Sequence, residues 1–257
     1  WSCLVSILPG MAQTEKLTDY VNPFVGTDGY GNVYPGAQIP FGGIQISPDT
    51  DSRFYDAASG YKYNHLTLMG FSLTHLSGTG IPDLGDFLFI PGTGEMKLEP
   101  GTHEDPDQGY RSRYSHDKEW ASPNYYAVEL ADYGVKAEMT SGVRSGMFRF
   151  TYPESDNAFI MIDMNHTLWQ SCEWSNLRMI NDSTITGYKL VKGWGPERHV
   201  YFTATFSKKL TGLRFVQDKK PVIYNTSRFR SSYEAWGKNL MACISFDTKA
   251  GEEVTVK

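Results

Sequence analysis

Little in this chain could staple it from outside its own core, and little could fix it to a membrane or a nucleic acid. Only three cysteines occur among 257 residues, Cys3, Cys172 and Cys243, which excludes a disulfide-dense scaffold and the paired Cys/His spacing of a structural zinc site. Cys172 and Cys243 are compatible with one disulfide or with two buried thiols. A net charge of −5, with Lys and Arg scattered singly, offers no basic stripe to neutralise phosphates, so no nucleic-acid partner is expected. Long apolar runs are missing too. The clearest one, Cys3 to Leu8, is far too short to span a bilayer, and no membrane span is expected. No segment sustains a helical apolar stripe beyond about ten residues.

Turn formers and rings are what the chain has in quantity. Gly 25 and Pro 13 favour strands and turns over helices, and Tyr 16, Phe 14 and Trp 6 exceed what a core of this size needs. Exposed rings suit the apolar faces of sugars, while β cores are also rich in Phe and Tyr, so both readings stand. From about residue 110 onward, short alternating runs broken by turns predict an all-β sandwich. Tyr126, Val128 and Leu130 form one inward set, and Phe148, Phe150 and Tyr152 another. Val200, Phe202, Ala204 and Phe206, and Leu240, Ala242, Ile244 and Phe246, complete the pattern. Asp132-Tyr133-Gly134, Pro153 to Asn157 and Lys249-Ala250-Gly251 are the turns between them.

Residues 1–13, with an apolar run, a Pro-Gly break and Gly10-Met11-Ala12 before Gln13, read as the remnant of a secretory signal peptide, and residues 14–257 as one β domain. Secretion or a periplasmic location follows, with surface attachment through Cys3 as a weaker alternative. Gly251 to Lys257 starts a strand after a turn, so more protein is expected to follow.

Residues 20–91 behave differently, being crowded with Gly, Ser, Thr, Asn, Asp and aromatics in loops of low periodicity, where sites tend to sit. Three clusters stand out: Tyr20 to Gly29, Ala58 to Tyr61, and Thr74 to Gly80 running on to Asp83 and Asp86. Gly78-Thr79-Gly80 completes no phosphate-loop motif. His65 and His75 with Asp83 and Asp86 lack metal-ligand spacing. Asp49, Asp51, Asp56, Asp83 and Asp86 form no pair with the spacing of a glycosidase acid and base, and acids in turns more often cap. A Ser77-His75-Asp83 triad can be written down without the GxSxG elbow that would support it. Trp169, Trp174 and Trp194 read either as a sugar platform or as packing against another domain. Asn165-His166-Thr167, Asn181-Asp182-Ser183 and Asn225-Thr226-Ser227 match the glycosylation pattern at near chance frequency. His199 reads as a strand-end residue.

In order, YVNPFVGTDGYGNVYPGAQIPFGGIQISPDT, ASGYKYN and MGFSLTHLSGTGIPDLGDFLFIP resemble the N-terminal domain of glycoside hydrolase family 92, exo-acting, calcium-dependent, inverting α-mannosidases. The resemblance covers residues 18 to 91. It implies a large β-sandwich (a supersandwich, galactose-mutarotase-like) with long loops, truncated before an (α/α)6 barrel of the same chain, which would supply the acid, the base and most calcium ligands. No calcium is then expected on this chain, nor any catalytic residue. The substrate would be a mannose-containing glycan, an N-glycan or a mannan, with α-1,2 linkages expected. By carry-over, Phe24, Gly26, Thr27 and Asp28, Ser59, Gly60 and Tyr61, and His75, Ser77 and Gly78 are the substrate-binding candidates. Asp28, Asp83 and Asp86 would position groups without acting as acid or base. Tyr55-Asp56-Ala57-Ala58 departs from a common family form with Trp and Cys nearby, which bears on linkage preference. The alternative is a free-standing carbohydrate-binding sandwich without catalysis.

Overall fold

A computed structural model describes residues 15–52, 55–223 and 233–257. The signal-peptide reading of residues 1–13, Cys3 and the Asn225-Thr226-Ser227 triplet lie outside them. Strands alone build the described chain, joined by single turns of 3-10 helix such as Leu17–Tyr20 and His116–Lys118.

The largest sheet is antiparallel and runs in the order Ala37–Gln38, Gln45–Asp49, Gly70–Ser72, Leu88–Thr93, Ser155–Asp163, Leu240–Thr248, Gly212–Gln217, Lys220–Pro221. A five-stranded sheet runs Glu252–Val256, Gly146–Tyr152, Val135–Ser141, Tyr125–Leu130, Glu119–Ser122, and a four-stranded one Arg198–Thr205, Thr184–Lys192, Ser171–Asn181, Glu234–Gly237. Thr67–Leu68 pairs with Ser112–Arg113 as a separate ribbon.

The inward sets predicted for two strands of the five-stranded sheet are found, although Ala127, between Tyr126 and Val128, is buried as well. Tyr126, Val128, Leu130, Phe148, Phe150 and Tyr152 are buried in one cluster with Phe71, Phe89 and Ile160 of the large sheet. Two other strands depart from simple alternation, each for a positional reason. Leu240, Ala242 and Ile244 enter that same core, but Met241 and Cys243 are buried as well, in a second cluster with Phe159, Met161 and Tyr110. That strand lies inside the eight-stranded sheet, with both faces covered, so neither set of side chains reaches water. Arg198–Thr205 is instead an edge strand, and Val200 and Phe202 are only partly buried. Cys172 and Cys243 are two buried free thiols, and burial pushes Cys243 up to about 11.

Candidate functional site

The three loop clusters that lie apart in sequence are joined by backbone contacts. Gly78 N–H donates to Asn32 O at 2.7 Å, tying the third cluster to the chain just after the first, and Tyr63 N–H donates to Thr27 O at 2.9 Å, tying the first to the chain just after the second. Gly60 joins second to third. Its φ is +86°, and a Cβ there would stand 2.1 Å from Asp49 Oδ1 and 3.2 Å from the His75 ring, so only glycine lets the chain pass so close.

Beneath this contact lies a buried charge. Asp49 ends the strand Gln45–Asp49 and meets His75 Nε2 at 2.7 Å with one oxygen and His166 Nε2 at 2.7 Å with the other. His75 is fixed at its second nitrogen too, with Gln45 O 2.7 Å from Nδ1. Burial by itself would raise the Asp49 carboxyl, but the two imidazoles outweigh it and hold the group well below the usual carboxylate range. A carboxylate held ionised in this way orients its neighbours and is a poor proton donor.

A second buried group adjoins the first. Asp86 pairs with Lys189 Nζ at 3.1 Å and with Arg198 Nη1, and accepts from Thr74 Oγ1 at 2.7 Å. Burial again works to raise the carboxyl, and Lys189 and Arg198 bring it below its ordinary value. Lys189 Nζ also donates to His166 O at 2.6 Å. Polar contact therefore runs unbroken from Asp49 through His166 and Lys189 to Asp86. A third cluster centres on Glu119, which accepts from Tyr61 O–H at 3.0 Å and Tyr126 O–H at 2.5 Å and lies 2.6 Å from His116 Nδ1. Burial, reinforced by nearby Glu119, raises both phenols far above their ordinary value.

The ten candidates divide by depth. Thr27, Ser59, Gly60, Tyr61 and His75 are buried, Phe24 and Gly26 half-buried, and Asp28, Ser77 and Gly78 exposed. The buried five build the floor: Thr27 Oγ1 donates to Phe24 O at 2.8 Å, Tyr61 reaches Glu119, and His75 reaches Asp49. The exposed three stand on the rim. Ser77, His75 and Asp83 form no triad, because His75 is turned onto Asp49 and Ser77 faces solvent. His65 lies against Thr50, 3.0 Å from its Oγ1, apart from Asp83 and Asp86. Among the described residues no group of three or more His, Cys, Asp or Glu side chains is arranged to hold a metal ion.

Sequence reasoning passed over His166, Lys189 and Arg198 and left Asp49 undistinguished among five acids. One signal was available for Lys189. It shares the inward face of the strand Thr184–Lys192 with Ile185, Gly187 and Val191, and a lysine at an inward position demands a buried acid.

Fold and site together define a class: an antiparallel sandwich whose loop-bearing side is set by buried ion pairs, a part suited to shaping a surface. Residues 20–257 match the glycosyl hydrolase family 92 N-terminal domain, and the chain belongs to that family. It is 27% identical to the family 92 glycosyl hydrolase CcMan5, with a TM-score of 0.75, covering 93% of this chain and 32% of that one. The family 92 inverting mannosidase BT2199 from Bacteroides thetaiotaomicron shares the fold at 24% identity and a TM-score of 0.75, over 95% of this chain and 31% of that one. A protein from Arthroderma benhamiae described as an uncharacterized secreted glycosidase is 30% identical over 139 residues, 53% of this chain and 17% of its own length. The chain thus spans about a third of the solved relatives and less of the curated one.

Proposed function

We propose that this chain is the N-terminal, pocket-completing domain of a secreted or periplasmic, calcium-dependent, inverting exo-α-mannosidase that removes α-1,2-linked mannose from N-glycans or mannans. The observation that carries the reading is the convergence of three family 92 loop clusters over Asp49, His75 and Gly60, which leaves Asp28, Ser77 and Gly78 at the surface. The acid and the base, which an inverting glycosidase holds about 6.5–9.5 Å apart across the scissile bond, come from an (α/α)6 domain of the same polypeptide. One observation supports the cellular setting: a relative is described as secreted.

Asp49 and Asp86 do not fit a calcium ion. Calcium takes hard oxygen donors with charge to spare, whereas both oxygens of each carboxylate already face imidazole, ammonium or guanidinium nitrogen. In this reading calcium takes its ligands mainly from the second domain. The test compares release of mannose from an α-1,2-linked mannobiose by this chain alone and by the polypeptide extended through that domain, with and without a chelator. Hydrolysis is expected only from the extended form and only with calcium. Turnover by this chain alone overturns the proposal.

A further inference from the structure

Trp169 combines a costly backbone with an uncovered ring. Its φ of +74° lies in the left-handed region, which a bulky side chain seldom enters, and it is 57% exposed. The loop is nevertheless pinned on both sides of it. Leu168 N–H donates to Leu84 O at 2.9 Å, Thr167 Oγ1 to Gln170 O at 2.7 Å and Gln170 Nε2 to Pro82 O at 3.1 Å. Gly85 runs so close that a Cβ there would stand 2.8 Å from Leu168 N. Contacts that over-determine a strained residue hold it in one pose, and here that pose puts an indole into solvent.

The indole lines a cleft of about 990 Å³ that also presents Tyr110, Asp163, Asn165 and Asn239. The exposed Tyr55 ring lies 6.1 Å from that of Trp169, tilted by 45°. Asp163 is oriented from two sides, by Tyr110 O–H at 3.3 Å and Asn165 N–H at 2.8 Å. The two lysines of the lining are already paired, Lys219 with Glu99 at 2.6 Å and Lys238 with Glu173 at 3.3 Å, so among the described residues of the lining no lysine is spare for a phosphate or carboxylate. Exposed rings beside an oriented carboxylate and an amide suit a neutral ligand with one apolar face and many hydroxyls. The volume lies at the upper end of small-molecule sites, about 300–1,000 Å³, which is more than a single sugar ring fills. His166 lines the same cleft and joins it to the Asp49 layer.

We propose that this cleft binds an oligosaccharide, with Trp169 and Tyr55 against the apolar face of one sugar ring and Asp163 and Asn165 taking its hydroxyls. It rests on the glycan reading above for the kind of sugar, but binding is read without hydrolysis. The experiment titrates this chain with a linear α-mannotriose and with methyl α-mannoside, following the indole N–H resonances. The trisaccharide is expected to bind at about 1 mM and to shift the Trp169 signal, and the monosaccharide to bind more weakly. Trp169→Gly, which relieves the left-handed strain and keeps the fold, is expected to weaken trisaccharide binding about tenfold, and Trp169→Phe to retain most of it. Asn165→Ala, at the exposed edge, is expected to weaken it about threefold. Unchanged affinity in Trp169→Gly, or no response of the wild-type chain to the trisaccharide at about 20 mM, overturns the proposal. Failure of the extended polypeptide to hydrolyse mannosides leaves this result standing and strikes only the enzymatic reading.

Discussion

Two buried regions of this molecule are held by opposite means. Around Phe150 in the five-stranded sheet the contacts are dry: the ring is fully buried, faces Ala137 and Val254 across its neighbouring strands and stacks on Phe148 at 5.4 Å. Under the loops the contacts are charged and directional, and they link residues as distant as Asp49 and His166, 117 positions apart. Apolar burial is non-directional and accepts side chains of similar volume, so it fixes which strands pack together without fixing a single atom's place. Buried ion pairs do the reverse. They add little net stability against an apolar core, yet losing one partner is costly and the geometry they allow is narrow. The dry core makes the sandwich, and the charged layer decides where the loops of residues 20–91 stand.

The largest expected effect comes from the dry side. Phe150→Ala should cost about 4 kcal/mol, transfer and cavity terms together, in chemical denaturation, with a loss that does not change between acid and neutral pH. Asp49→Asn should cost about 3 kcal/mol at neutral pH, because two imidazoles lose the charge they face, and here the loss should depend on pH. The folded carboxyl lies below its ordinary 3.8, so its contribution is complete above that value and disappears as the pH falls below it. The gap between wild type and Asp49→Asn should close on acidification while the gap for Phe150→Ala stays open. Parallel behaviour of the two variants would remove the distinction between the regions.

The same contrast explains what could be read in advance. Strands such as Gly146–Tyr152 announce themselves, since Phe148, Phe150 and Tyr152 alternate with Arg149 and Thr151 and enter the core on one face. Leu240–Thr248 was legible as a strand but not as one buried on both faces, because single-residue periodicity says nothing about what covers the second face. In the site, the Gly and Ser clusters marked the loops, and the family resemblance marked their order. Their chemistry was hidden. The ring of His75 was equally free to face Asp83 on paper, and the choice of Asp49 depends on where the strand Gln45–Asp49 delivers its last carboxylate. His166 looked like part of a glycosylation triplet, and only the fold brings it to Asp49.

Gly60 tests whether loop placement depends on the charged layer. Gly60→Ala puts a methyl where Asp49 Oδ1 now sits and forces a left-handed φ on a side chain, at a combined cost of about 2 kcal/mol. The charged layer should register it: the His75 and His166 ring resonances are expected to move, while the methyls of Val128 and Val254 in the dry core stay in place. Movement confined to residue 60 and its chain neighbours would show that the loop closes without the layer beneath it.

The smallest effect is expected where a buried carboxylate meets a cation that stays in water. Glu138 takes Arg149 through two hydrogen bonds, Nε at 2.9 Å and Nη2 at 2.8 Å, and Tyr125 O–H at 2.6 Å. The Arg149 hydrogen bonds are the main cause that draws its carboxyl down from 4.5 to about 2. The sign matches that of Asp49: the contribution is full above 4.5 and is lost as the pH falls toward 2. The size should differ, because the Arg149 side chain is 45% exposed and water competes for it. Glu138→Gln is expected to cost less than about 1 kcal/mol at pH 7, with the difference shrinking further in high salt. A loss equal to that of Asp49→Asn would mean that hydrogen-bond geometry alone sets the cost. A clearly smaller loss assigns the difference to burial of both partners, which Asp49 shares with its two imidazoles and Glu138 does not share with Arg149.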